Sequence, residues 1–260
     1  MTILDEIIEY KKKEVESCKS LVSIDELKTY DGFKRETLSL KSFLTAKDKT
    51  GIIAEFKRQS PSKGIINDKV KVEDVTTGYA QAGASALSVL TDFNFFGGAV
   101  DDLLKARAVN NIPILRKDFT VDDYQIYEAR AIGADAILLI AACLTPEEVK
   151  HFTELAHSLQ LEVLLELHAE EELEYVFEGI DVVGVNNRNL KTFEVNLEHS
   201  IALAKQLPKE MVRISESGIS TVENIQYLKN EGFQGFLIGE NFMKTDAPGM
   251  AFKEFVNQLA

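Results

Sequence analysis

This chain has little cysteine, a deficit of positive charge and no long apolar run. Its 260 residues include two cysteines, Cys18 and Cys143. They are too few and too far apart for a disulfide framework or a metal knuckle, and thiols kept reduced fit a cytoplasmic protein. Lysine and arginine number 29 against 42 aspartates and glutamates, a formal charge of −13. That balance argues against nucleic acid or an anionic membrane as partner, and a small anionic ligand would need positive charge concentrated locally. The longest apolar run, 136–144, falls far short of the roughly 20 residues that span a bilayer. Asp5, Glu6 and Glu9 interrupt the apolar residues at the amino terminus, which excludes a signal-peptide core. His151 and His157 stand six apart, and His168 and His199 are isolated; no pair has zinc-type spacing, so no metal is expected and the four are read as solvent-facing or satisfied. No Gly-x-Gly-x-x-Gly follows the first apolar strand, which weakens a dinucleotide-binding alternative.

What is present is the composition of a globular protein, 45% apolar and 27% charged. Residues 1–50 read as a helical extension. Thr2 can cap a helix whose apolar stripe is Ile3, Leu4, Ile7, Ile8 and Val15, and shorter helical pieces are expected at 23–29 and 42–46. From residue 51 onward, short apolar runs alternate with amphipathic stretches. Strands are expected at 52–56, 86–90, 112–115, 136–140, 162–166, 182–185, 212–214 and 235–238. Helices are expected at 71–82, 99–109, 122–132, 146–158, 170–177, 197–206, 222–230 and 249–258. Thr145-Pro146 and Thr221 are good helix starts, and Gly83, Gly133 and Gly232 stand where helices should stop. Eight uninterrupted apolar strands alternating with eight helices predict an α/β fold, a (β/α)8 TIM barrel formed by residues 51–260.

The carboxyl ends of barrel strands carry the chemistry in this architecture, and unusual polar residues gather there. Glu55 and Lys57 project from one face of the first strand, as a structural ion pair or as a working one. Lys117 ends the third, Glu166 interrupts the apolar fifth, and Asn186 and Arg188 share a face at the end of the sixth. The seventh ends Ser215-Glu216-Ser217-Gly218. Ser217-Gly218-Ile219 and Gly239-Glu240-Asn241 follow strands seven and eight and are expected at helix starts, where backbone amides can cradle a phosphate. Lys57, Lys117 and Arg188 would supply the local positive charge. A lysine among other cations and apolar walls is expected to have its pKa lowered.

Five ordered strings carry a resemblance over nearly the whole chain: Ile53-Ala-Glu-Phe-Lys-Arg-Gln-Ser-Pro-Ser-Lys-Gly64, Ser88-Val-Leu-Thr-Asp92 with Phe95-Phe96-Gly97-Gly98, Leu115-Arg-Lys-Asp-Phe119, Gly184-Val-Asn-Asn-Arg-Asn-Leu190 and Ser215-Glu-Ser-Gly-Ile219. The sequence resembles the indole-3-glycerol-phosphate synthase family. The resemblance implies closure of the indole ring in tryptophan biosynthesis: 1-(2-carboxyphenylamino)-1-deoxyribulose 5-phosphate loses carbon dioxide and water, with no cofactor. It implies Lys117 as the general acid, Glu166 as its carboxylate counterpart, Lys57 as the holder of anionic groups, and Glu55 and Asn186 as positioning groups. Ser217, Gly218, Gly239 and Glu240 resemble the phosphate cradle, with Arg188 beside it. Ser60 is implied to bind substrate. Pro61, Leu90, Phe96, Phe119, Leu138, Leu190 and Ile238 resemble the apolar wall around the aromatic ring. Glu240 departs from the serine found in some members; beside a phosphate its carboxylate is expected to turn outward and leave only its amide in contact. The helical extension is implied to lie over the barrel mouth. The competing readings are another phosphate-binding barrel, an isomerase or a Schiff-base aldolase using Lys57 or Lys117, and a non-catalytic sensor of a phosphorylated metabolite.

Overall fold

The computed structural model describes residues 2–189 and 192–259. Its centre is a closed barrel of eight parallel strands: β1 (Ile52–Phe56), β2 (Ala86–Leu90), β3 (Ile114–Lys117), β4 (Ala136–Ile140), β5 (Glu162–Leu167), β6 (Val182–Asn186), β7 (Val212–Glu216) and β8 (Gly235–Ile238). Each pairs with the next in sequence, and β8 closes onto β1 through Ala54 opposite Ile238. Strands buried on both sides must be apolar on both sides, and every residue of β1, β2 and β4 is buried.

The strands run further toward the mouth than apolarity alone suggests. β5, β6 and β7 continue through Glu166, Asn186 and Glu216, because ladder hydrogen bonds are made by the backbone whatever the side chain. β3 starts at Ile114 instead of 112, since Pro113 has no N–H to give the ladder. The segment expected as a helix at 170–177 is instead a 3-10 turn, Glu170–Tyr175. Glu170 and Glu174 would repel one turn apart, and Glu172 is drawn back to accept from the amides of His168 and Ala169.

The extension contains helix α1 (Ile3–Leu21), closed at its start by a reciprocal Thr2–Asp5 capping box. Val15 packs with Leu27, Tyr124 and Ala131 on the outside of the barrel. A short helix, Leu40–Thr45, sends Leu40 and Leu44 into the barrel interior, where they join Ile53, Ala86, Leu115, Ala136, Leu164 and Ile214. Ser39 holds this helix to the start of β5 by donating to Glu162 at 2.5 Å. The amino-terminal end of the barrel is therefore plugged and apolar, and the next inward layer carries the charges.

Candidate active site

Side chains of alternate residues point into the barrel. The layer above Ile53, Leu115, Leu164 and Ile214 accordingly holds Glu55, Lys117, Glu166 and Glu216. These side chains line a cavity of about 290 Å³ at the carboxyl ends of the strands. Lys57 lies 2.7 Å from Glu55, and Lys117 lies 3.6 Å from Oε2 of Glu166. The other oxygen of Glu166 accepts from Asn186 Nδ2 at 2.9 Å and meets His168 Nε2 at 2.9 Å. Thus Asn186 positions Glu166, whereas Glu55, backed by Ser88 Oγ at 3.4 Å, holds Lys57.

Charge balance in this layer overturns one expectation. Burial works against the Lys117 ammonium, but the surrounding carboxylates, Glu166 first, outweigh it and hold its pKa above the usual lysine range, not below it. Burial alone would raise Glu55; Lys57 and Lys117 bring it down. Burial would likewise raise Glu166, but Lys117, His168 and Asn186 hold it well below the carboxylate range. Glu216 goes the other way: burial and the negative charge of Glu166 push it well above its ordinary value. Two carboxyls sharing one site are thus driven apart in pKa, Glu166 down and Glu216 up. His168, which burial would depress, is lifted by Glu166 and Glu172 to about 9.

Glycine makes this layer possible. A Cβ on Gly184 of β6 would overlap Oε1 of Glu216, and one on Gly239 would stand 2.6 Å from Oε1 of Glu55. Glu216 continues the inward period of Val212 and Ile214, so a strand ended at 214 hides it; His168 likewise continues the period of Leu164 and Glu166. Neither was among the expected site residues.

The apolar side of the cavity is formed by Pro61, Leu90, Phe96, Phe119 and Ile238, as expected, with Ser60 at the same mouth. The rings of Phe96 and Phe119 lie 5.9 Å apart. Leu138 does not line the cavity: it belongs to the barrel core one layer below, and Ile140, two residues further along β4, takes the place expected for it. Leu190 lies outside the described residues. Ile3, Leu4 and Ile7 of α1 complete the wall, so the extension reaches over the mouth.

Ser217, Gly218, Gly239, Glu240 and Arg188 gather at one side of the same cavity. Ser217 and Gly218 adopt φ of 68° and 69°, and Asn187 pins the turn by donating to the Ser217 carbonyl at 2.7 Å. A left-handed serine is strained, a cost that turns holding ligands often carry. The helix after β7 begins only at Val222, so the expected helix start at 217–219 is instead a left-handed turn; after β8 a short helix, Glu240–Met243, does begin at the glycine. Glu240 does not turn outward. Its carboxylate sits 3.6 Å from both Lys63 and Arg188, whose Nη1 also donates to Ser62 Oγ at 2.8 Å. Among the described residues, no group of three or more histidine, cysteine, aspartate or glutamate side chains is arranged to hold a metal ion.

The fold is shared with a mutant tryptophan synthase alpha-subunit from Pyrococcus furiosus, at a TM-score of 0.63 and 17% identity over 82% of this chain and 98% of that one. Sequence relatives are closer. The indole-3-glycerol phosphate synthase of Bacteroides thetaiotaomicron is 49% identical over 99% of this chain and 98% of its own length. That of Caldanaerobacter subterraneus subsp. tengcongensis is 43% identical over 99% and 98%. The family model for indole-3-glycerol phosphate synthase matches residues 4–255, and the chain belongs to that family.

Proposed function

We propose that the chain closes the indole ring of indole-3-glycerol phosphate, with Lys117 and Glu166 as the central proton-handling pair. The observation that carries this reading is their meeting at 3.6 Å from strands β3 and β5, in one cavity with an apolar wall and the glycine turns after β7 and β8. The aromatic carbon bearing the carboxylate attacks the ribulosyl carbonyl, whose oxygen takes a proton and becomes a hydroxyl. Loss of carbon dioxide returns the bonding pair to the ring. The hydroxyl then departs as water with one more proton, while a neighbouring carbon gives up a hydrogen to form the new double bond.

Lys117 is the first acid, since the carboxylates of Glu166 and Glu55 keep its ammonium charged and the carbonyl needs a donor. Glu166, held as a carboxylate, accepts the proton lost in dehydration. Glu216, kept protonated, is the second proton source. Lys57, steered by Glu55, receives the substrate's anionic groups, and Asn186 aims Glu166. Phe96, Phe119, Leu90, Pro61 and Ile238 take the aromatic ring. The turn at Ser217–Gly218, the amides at Gly239–Glu240 and Arg188 take the phosphate, with Ser60 at the rim. Schiff-base aldolase chemistry at Lys117 is disfavoured because it needs a neutral amine, whereas Lys117 is held charged.

Of the extension, residues 1–50, the start of α1 covers the mouth of the barrel of 51–260 through Ile3, Leu4 and Ile7, while the helix Leu40–Thr45 plugs the opposite end. A cytoplasmic setting is supported by the two free thiols, and the charge of −13 speaks against nucleic acid. No helix among the described residues is long and apolar enough to cross a membrane. Incubating the purified protein with 1-(2-carboxyphenylamino)-1-deoxyribulose 5-phosphate should produce growing indole fluorescence; none at high enzyme concentration would overturn the reading.

A further inference from the structure

Along α1 the inward stripe at four-residue spacing reads Ile3, Ile7, Lys11, Val15. A lysine stands where the pattern calls for an apolar residue, and it is 2% exposed. Burying an ammonium is costly unless it is fully paired. Its Nζ lies 2.9 Å from Oδ2 of Asp92 and 2.9 Å from Oδ1 of Asp118, and it also contacts Glu14 one turn along α1.

Those two aspartates lie beneath the aromatic wall. Asp92, completely buried after β2, caps the turn Phe93–Phe96 by accepting from the amide of Phe95 at 2.8 Å, and that turn presents Phe96. Asp118 lies between Lys117 and Phe119. It accepts from the Phe119 amide at 2.8 Å and from Thr91 Oγ1 at 2.5 Å. Without Lys11, Asp118 keeps Arg116 at 3.3 Å, but Asp92 has no other ion-pair partner among the described residues. One ammonium therefore ties the backbone under both rings to the helix that brings Ile3, Leu4 and Ile7 to the cavity.

We propose that Lys11 is a positioning residue, coupling the docking of α1 to the geometry of the Phe96–Phe119 wall that receives the substrate's aromatic ring. The proposal rests on the reading of that wall given above. It separates Lys11 from a plain helix anchor. An anchor lost would loosen the whole mouth, whereas a lost positioning group disturbs the aromatic side and spares the phosphate turn, which is built on β7 and β8.

The test compares Lys11→Met, which keeps the buried stem and removes the charge, with Lys11→Arg, which keeps the charge. Two fragments serve as competitive inhibitors: anthranilate for the aromatic wall and inorganic phosphate for the turn. Lys11→Met should raise both KM and the anthranilate inhibition constant about tenfold or more, while the phosphate constant stays within roughly twofold and kcat falls less than KM rises. Lys11→Arg should recover part of the lost affinity. An unchanged KM, or parallel weakening of anthranilate and phosphate, overturns the proposal. If Lys11→Met does not fold, Lys11→Met with Asp92→Asn removes the stranded carboxylate and is judged by the same constants. If the unmodified enzyme ignores anthranilate, the reading of the wall fails instead, and KM with phosphate still decides on Lys11.

Discussion

Nε2 of His168 lies 2.9 Å from Oε1 of Glu166, the oxygen that Asn186 also contacts, and so leaves Oε2 to face Lys117. His168 is held in turn by Glu172, which accepts from its amide at 2.5 Å, and by His199, which donates to its carbonyl at 2.9 Å. A histidine fixed on both sides keeps Glu166 ionised.

Replacing His168 by Gln removes one of the cations that depress Glu166. The pKa of Glu166 should rise, and the acid limb of kcat against pH should move upward by about one unit. A pH–rate profile checks this, and an unmoved limb would refute the role. His168 also affects stability. Its pKa rises from 6.5 to about 9 on folding, so its contribution is complete below 6.5 and is lost as pH rises through about 9. Thermal melts should show the unmodified protein losing more stability than His168→Gln across that window.

Lys117→Ala should lower kcat by a factor of about 10² to 10⁴, the usual contribution of a placed general acid. Competitive inhibition by inorganic phosphate should persist, since Arg188 and the turn at Ser217–Gly218 are untouched. Near-normal turnover would remove Lys117 from its central role.

Gly184→Ala places a methyl group on Oε1 of Glu216. Overpacking of this kind costs about 1–3 kcal/mol, so the melting temperature should fall. Activity should fall further than the folded fraction does, because Glu216 must move out of its layer. Melting curves and kcat measured on the same samples separate the two effects.

Glu240→Gln frees Lys63 and Arg188 from a carboxylate 3.6 Å away. This partly exposed contact is worth at most about 1 kcal/mol, so KM should drop by no more than about fivefold. The difference should fade as salt is raised. Steady-state kinetics at two ionic strengths would show it, and a rise in KM would mean that Glu240 helps hold substrate.

Much of the site was legible because inward residues recur every second position: Glu55, Lys117, Glu166 and Asn186 all stand where that period places them. The same rule, applied too briefly, stopped β7 at 214, so Glu216 was named at the strand's end without a role, and His168, one residue past β5, was read as solvent-facing or satisfied. Depth is less visible than direction. Leu138 and Ile140 both face inward, and only the stagger of the closed barrel decides which of them reaches the cavity. Phe96 and Phe119 were recognisable as wall residues, but nothing near them in sequence points to Lys11.

Strand count, helix order and the set of chemical groups at one rim follow from this sequence, since periodicity and turn chemistry are local. Which charges pair, and so which groups stay protonated, was decided by the tertiary structure. Lys117 is the clearest case: read locally it sits among cations, but folding surrounds it with Glu55, Glu166 and Glu216 and reverses the direction of its shift. Electrostatic energy depends on separation in space and on exclusion of water, and the chain acquires both only when the barrel closes.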